Sequence, residues 1–449
     1  MQLVTRRRYG TGGIFWLVTA ALLAACGSSS PSASGGVAAR DGWVGAWAAA
    51  PYGPYPLGPL SGDAATPVPA GVALPLPSVL PNDHASDQSF RMIVHPTLGG
   101  EVARVRLSNL VGDRPVHFDA VHLAHSLAQN TPAIVPGSDV ALRFGGAPGV
   151  TLAPGAEAVS DAVPFSFAVG DDLAVSFHVA GESGAITWHA VSFGVNYLSL
   201  PGAGDTTADP TGLSFTQPSV GWFFLSGVDV QRRDGAGAIV TLGDSITDGA
   251  YTVLNTRWPD DFAHRLQAQG IAMSVLNEGI NSNTVTVAGT PPGAEFKGPP
   301  AVTRFGRDVL QRAGVRALVI FEGTNDFTAG QKADAIFAGI RSLVARAHAA
   351  GLCVVVGTIM PRNDLTFGWN AATMEPEREK LNTLLRAQTD IEGLADFDAV
   401  MRSPLDATQP NPAYYSPDLL HPTPVGTQVM ADAVPLAALV PPPAGTCRR

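Results

Sequence analysis

The chain has 449 residues, of which 45% are hydrophobic and 15% charged, and its formal net charge is −10. That balance belongs to a folded chain, and the negative charge argues against a polyanion such as nucleic acid as a partner. The length exceeds one ordinary core and allows two domains behind a leader, while 49 glycines and 37 prolines point to many turns and short elements rather than long helices.

The amino terminus reads as a targeting segment. Arg6, Arg7 and Arg8 form a positive region ahead of Ile14–Ala25, an uncharged and mostly apolar stretch too short to span a bilayer comfortably. It runs into Leu23-Ala24-Ala25-Cys26-Gly27, which resembles a bacterial lipobox. The resemblance implies a lipoprotein signal peptide over 1–26, with Cys26 lipidated as the first mature residue. The protein would then be exported to the cell envelope, with a membrane as partner through its acyl chains, each buried CH₂ being worth about 0.8 kcal/mol. The alternative is a plain signal peptide cut near Ala25, with Cys26 a bystander. The arginine run also matches a twin-arginine signal, but poorly. Residues 27–42 are low-complexity Ser, Gly and Ala and read as a flexible tether.

From Trp43 to about Asp234 the pattern is β. Ala103, Val105 and Leu107 alternate with Arg104, Arg106 and Ser108, and Leu173, Val175, Phe177 and Val179 alternate with Ala174, Ser176 and His178. Period-2 alternation predicts strands with one buried face. Further strands are expected at 90–95, 116–123, 140–144, 186–191 and 221–230, with 51–88 a Pro-rich irregular excursion. Many short strands without a convincing helix predict an all-β sandwich, jelly-roll-like, over 43–234.

After Gly235-Ala236-Gly237 the period changes. Apolar runs at 238–242, 273–276, 316–321 and 353–357 alternate with helix-like stretches at 257–269, 334–350 and 373–389. Asp334 suits the cap of the second helix and Gly351 its end. Buried strands alternating with helices predict an α/β domain over 235–449 with a parallel sheet covered on both faces. Cys353 opens an apolar run, so Cys353 and Cys447 are either a disulfide or free thiols, Cys353 then being buried.

Chemistry gathers in this second part. Gly243-Asp244-Ser245-Ile246-Thr247-Asp248-Gly249 follows the first apolar run, which puts Ser245 at the carboxyl edge of a strand, where open parallel sheets place their crevice. Asn277-Glu278-Gly279 and Gly323-Thr324-Asn325-Asp326 follow two others, and Asp418-Leu419-Leu420-His421-Pro422 precedes a short helix expected at 425–434.

In that order, Ser245, Gly279, Asn325 and His421 resemble the four blocks of the SGNH branch of the GDSL esterase and lipase family, over about residues 238–435. The resemblance implies a flavodoxin-like three-layer fold and a serine ester hydrolase without a cofactor. Ser245 would attack the ester carbonyl, with His421 as general base and Asp418 orienting the imidazole. The oxyanion donors implied are the N–H groups of Ser245 and Gly279 and the side-chain amide of Asn325. Asp244, Thr247 and Asp248 read as structural. Glu322 and Asp326 read as solvated turn carboxylates, and Asn283 is a possible pocket residue.

His117, His122, His125 and Asp119 cluster in sequence, but alternate strand residues face opposite sides, so a solvated polar face fits better than a metal site. The WVGAWAAAP start and the order of segments resemble a bacterial subgroup in which a sandwich precedes the catalytic domain. Relatives of this kind often deacetylate polysaccharides, which makes an acylated polysaccharide or small molecule the expected substrate. No long apolar lid is evident, which disfavours a triglyceride lipase. The rival readings are a broad acylhydrolase acting on lipid or aryl esters and a non-catalytic surface carbohydrate-binding protein.

Overall fold

A computed structural model describes residues 42–57, 80–252, 254–364, 366–440 and 447. The proposed signal peptide, Cys26 and nearly all of the tether lie outside the described residues.

The β-rich part is built from two antiparallel sheets and a small third one. Trp43–Ala48, Leu225–Gln231, Gly100–Asn109 and Ala156–Val159 lie in order in one sheet, and Val163–Phe167 also pairs with Gly100–Asn109. Ser86–Val94, Leu173–Glu182 and Val116–His125 form the centre of another. The consecutive strands Ser86–Val94, Gly100–Asn109 and Val116–His125 alternate between these sheets, which brings their apolar faces together as in a sandwich. Aromatic rings fill the space between: Phe90 stacks on Phe177, and Phe224 meets Phe118 edge-on.

Gly100–Asn109 alternates as its sequence predicts, with Ala103, Val105 and Leu107 fully buried. Leu173–Glu182 does not. Ala174, Ser176 and His178 are buried as well. Ala174 packs with Ala124 and Ile134, His178 bonds Asp119 and Asp87, and at Ser176 the cover comes from Arg91 on the neighbouring strand, whose guanidinium donates to Ser176 Oγ and to the carbonyls of Pro132, Thr207 and Asp209. It ties two loops down over a face that periodicity alone would expose. The expected strand at 221–230 is also broken, because Phe224 takes φ +54 between Trp222–Phe223 and Leu225–Gln231.

The α/β part is a five-stranded parallel sheet ordered Met273–Gly279, Gly237–Gly243, Val315–Phe321, Cys353–Gly357 and Gly393–Ala395. Numbered along the chain, the order is 2-1-3-4-5, the flavodoxin-like arrangement, whose crevice lies at the carboxyl ends where the order reverses. Helices Trp258–Ala268, Ala333–Ala349 and Ala371–Arg386 match the expected stretches within a few residues. Asp334 is not the cap. It sits inside the first turn and pairs with Lys380, while Gly351 takes φ +77 just past the helix end. Cys353 and Cys447 are joined as a disulfide.

Both parts fall in one compact unit and share one continuous apolar core. Trp43–Ala48 lies along the edge strand Met273–Gly279: Ser274 Oγ donates to Gly45 O, and Thr97 Oγ1 both donates to Val275 O and accepts from Val275 N. A single hydroxyl from the β-rich part thus satisfies both outward backbone groups of Val275 on an edge strand.

Candidate active site

Strand Gly237–Gly243 ends in a tight break. Asp244 caps the single helical turn Ser245–Asp248 by accepting from Ile246 N–H, and Gly249 closes it at φ +113. A Cβ on Gly243 would lie 2.1 Å from Thr247 Oγ1 and 2.6 Å from Phe321 O, so only glycine fits there. Ser245 is left at the first position of the turn, over the crevice.

His421 reaches it from the loop before helix Pro424–Ala433. Its Nε2 lies 2.9 Å from Ser245 Oγ, and its Nδ1 lies 2.6 Å from Asp418 Oδ2. Asp418 Oδ1 accepts the main-chain N–H groups of Leu420 and His421, a turn closed by Leu419 at φ +56. Burial pushes the Asp418 carboxyl up, but the hydrogen bond and electrostatic attraction of His421 and these N–H donors outweigh it and hold it below its ordinary value. Because Asp418 is ionised, Nδ1 carries the proton and Nε2 presents its lone pair to the serine hydroxyl.

The strand register brings the other blocks to the same end. Gly243 lies opposite Gly279 on one side and Phe321 on the other, and Asn325 follows Phe321 on the short helix Thr324–Thr328.

Residues 241–429 match the family model described as GDSL-like lipase/acylhydrolase. These residues form a GDSL-like lipase/acylhydrolase domain. The protein is accordingly a carboxylic ester hydrolase. Among curated proteins none matches the chain. Similar solved structures include a GDSL-like lipase from Bacteroides thetaiotaomicron VPI-5482, 21% identical, with 45% of this chain and 87% of that one covered and a TM-score of 0.35. A member of the lipolytic G-D-S-L family from Veillonella parvula DSM 2008 is 17% identical, with coverage of 44% and 94% and a TM-score of 0.33. An acetylxylan esterase from Geobacillus stearothermophilus is 21% identical, with coverage of 44% and 91% and a TM-score of 0.33.

Within the GDSL-like domain Gly279 does not stand as its sequence position suggests. Its N–H donates to Asn277 Oδ1 at 2.9 Å, and a Cβ on it would lie 2.3 Å from Asp248 N. Gly279 is therefore a glycine of close packing, and its amide is already engaged. Further along the same turn Ser282 takes φ +66, and among the described residues neither its N–H nor that of Ser245 has an acceptor. The Asn325 amide spends one hydrogen on Asn283 O at 2.9 Å and keeps the other.

Asn283 is fully buried rather than lining a pocket. It donates to the carbonyls of Lys297 and Pro299 and accepts from Arg304 Nε. Arg304, which no local pattern announces, also donates to Gly243 O and Glu278 O, so one guanidinium ties the ends of two adjacent strands. Glu322 and Asp326 are likewise buried, not solvated. Glu322 faces Arg304, and Asp326 accepts from Val285 N, Thr286 N and Thr286 Oγ1. Burial drives the Glu322 carboxyl well up and that of Asp326 to about 6. Asp244 is pushed up to about 7 by burial, against the pull of Ile246 N–H and Arg362.

Two rings flank the imidazole: Tyr251 stacks on it at 5.0 Å and Phe367 meets it edge-on at 5.9 Å. Tyr251 lies close behind the GDSITDG heptapeptide and takes φ +65, which the sequence does not disclose. The histidines of the β-rich part take separate partners. His122 pairs with Asp139, His117 with Thr151 and His125 with Ser166 O, while Asp119 pairs with His178.

Proposed function

We propose that the protein is an exported, lipid-anchored esterase that removes short acyl groups, acetyl foremost, from carbohydrate through an acyl-enzyme on Ser245. The observation that carries the chemistry is the chain of contacts Asp418–His421–Ser245, at 2.6 and 2.9 Å. Ser245 Oγ attacks the ester carbonyl carbon while its proton passes to His421 Nε2. The resulting oxyanion is met by the N–H of Ser245, the free hydrogen of the Asn325 amide, and the N–H of Ser282 in the place expected of Gly279. Collapse breaks the bond to the alcohol oxygen, which takes the proton from Nε2. Water, deprotonated by the same nitrogen, then hydrolyses the acyl-serine to acid and free serine.

The preference for a short acyl group is supported by the sequence, which carries no obvious long apolar lid over the catalytic part of the kind that a long acyl chain would need. The carbohydrate alcohol is supported by the resemblance in segment order to esterases that deacetylate polysaccharides, and is an analogy of architecture. Export is supported by the lipobox-like Cys26 and by the Cys353–Cys447 disulfide, a bond at home outside the cytoplasm.

A fluorophosphonate probe should form one adduct, on Ser245, and Ser245→Ala should abolish both labelling and p-nitrophenyl acetate hydrolysis. Absence of an adduct on the folded wild type overturns the mechanism. Rates that climb steadily from acetyl to long acyl esters favour the broad acylhydrolase instead. Membrane retention that persists in Cys26→Ala removes the lipid anchor.

A further inference from the structure

His189 lies on the short strand Thr187–His189 of the β-rich part, fully buried, and contacts the heptapeptide that carries Ser245. Its Nδ1 lies 2.7 Å from Ala50 O. Its Nε2 lies 3.0 Å from Val191 O and 3.1 Å from Asp248 Oδ1. A carbonyl oxygen only accepts, so a neutral ring would aim one lone pair at a carbonyl. With a proton on each nitrogen, every contact becomes a donated bond and Asp248 supplies the counter-charge.

The surroundings agree. Burial pushes the His189 imidazole down, but the charge and hydrogen bond of Asp248 and the Ala50 carbonyl outweigh it and raise it above its ordinary value. Arg257 opposes this and is itself paired with Asp260. The remaining faces are covered by the rings of Tyr52 and Trp222, each 5.4 Å away.

Asp248 spends its other oxygen on the chain that follows Gly279. Asp248 Oδ2 accepts from Asn281 N at 3.0 Å, and Tyr52 Oη donates to Asn281 O at 3.0 Å. Asn281 C=O and Ser282 N–H belong to one planar trans peptide, so fixing the direction of the carbonyl fixes that of the amide. Burial and the charge of Asp248 hold the Tyr52 phenol well above its ordinary value, so it remains a donor.

We propose that the β-rich part supplies two positioning residues to the ester-hydrolysing site: Tyr52 and the imidazolium of His189 together fix the Asn281–Ser282 peptide so that its free N–H meets the oxyanion. This gives that part a role in the reaction itself, besides any in substrate recognition, and it rests on Ser245 being the nucleophile.

The test uses the full chain and three variants. Tyr52→Phe, which removes only the hydroxyl, should lower kcat for p-nitrophenyl acetate about tenfold and leave KM within about twofold. His189→Leu should lower kcat further. His189→Gln, which restores one donor to Asp248, should recover part of that loss. A boronic acid, which places an oxyanion in the site, should bind Tyr52→Phe more weakly by the factor lost in kcat. In nitrogen-detected NMR of the wild type both ring nitrogens of His189 should carry protons at pH 7.5, where an ordinary histidine is neutral.

Wild-type kcat in Tyr52→Phe, or a neutral His189 ring at that pH, overturns the proposal even while Ser245 is labelled and active. A wild type that is neither labelled nor active overturns the nucleophile assignment beneath it, and the proposal with it.

Discussion

Asp418 holds His421 by two separate bonds, one oxygen on the ring Nδ1 and the other on the main-chain N–H of the same residue. The carboxylate thus fixes both where the imidazole is anchored and which way it faces. Asp418→Asn should keep the turn but favour the wrong tautomer, and kcat should fall about 10³–10⁴-fold with little change in KM. The folded carboxyl titrates below its unfolded value of about 3.9. Its stabilising contribution is therefore complete above about pH 4 and lost as pH falls through the lower folded value. Urea midpoints should separate the wild type from Asp418→Asn at pH 7, and the gap should narrow as pH falls below about 4. A gap that widens on acidification would contradict the assignment.

Asn325→Ala removes one donor aimed at the oxyanion and should cost about 10²–10³ in kcat, with KM nearly unchanged. The same change frees Asn283 O, whose partner it was. A circular dichroism melt is needed beside the kinetics, and a collapse of the melt would mean that the loss is one of folding.

Gly279 and Ser282 should respond in opposite senses. Gly279→Ala drives a Cβ against the backbone of Asp248, which cannot swing aside, and should destabilise by about 1–3 kcal/mol. Ser282→Gly relieves a left-handed backbone worth about 1 kcal/mol and keeps the main-chain N–H, so stability should rise and turnover persist. The reverse pattern would contradict the close-packing role of Gly279.

Asp244 bears on the pH range of stability. Its folded carboxyl is raised to about 7 and its unfolded one lies near 3.9. Folding therefore favours the protonated form, and stability declines as pH rises from about 4 to about 7, then levels. Asp244→Asn keeps an acceptor for Ile246 N–H without the charge. Thermal melts at pH 5 and pH 8 should show a smaller difference for the variant than for the wild type, and equal differences would refute this.

The Cys353–Cys447 bond spans 94 residues and ties a strand of the parallel sheet to the carboxyl terminus. Cys447→Ser should lower stability by about 2–5 kcal/mol. Dithiothreitol should lower the wild-type melting temperature to the same extent and leave the variant unmoved.

The residues legible in the sequence share a property: their partners are close along the chain, or each ends a strand whose apolar run is plain. Asp418 and His421 stand three apart, and Ser245 and Asn325 each follow a buried run. Gly279 was legible as a glycine that had to be one, but its reason lies in the backbone of Asp248, which no spacing reveals. Glu322 and Asp326 read as solvated because sequence carries no record of burial. Arg304, Tyr52 and His189 escaped because they join segments far apart along the chain, His189 to Asp248 across 59 positions. Arg91 misled in the same way, by covering a strand face with distant loops.

The hydroxyl of Thr97, seated on both backbone groups of Val275, has a consequence for how the chain can be cut. A fragment beginning at Gly235 would carry Ser245, Asn325 and His421 and still be the wrong object. It would bare the rim of its own sheet, lose what presses on Leu276, and invite one copy to zip onto another. For this molecule the two halves should therefore be produced together, and a cut at Gly235 should yield an aggregating product.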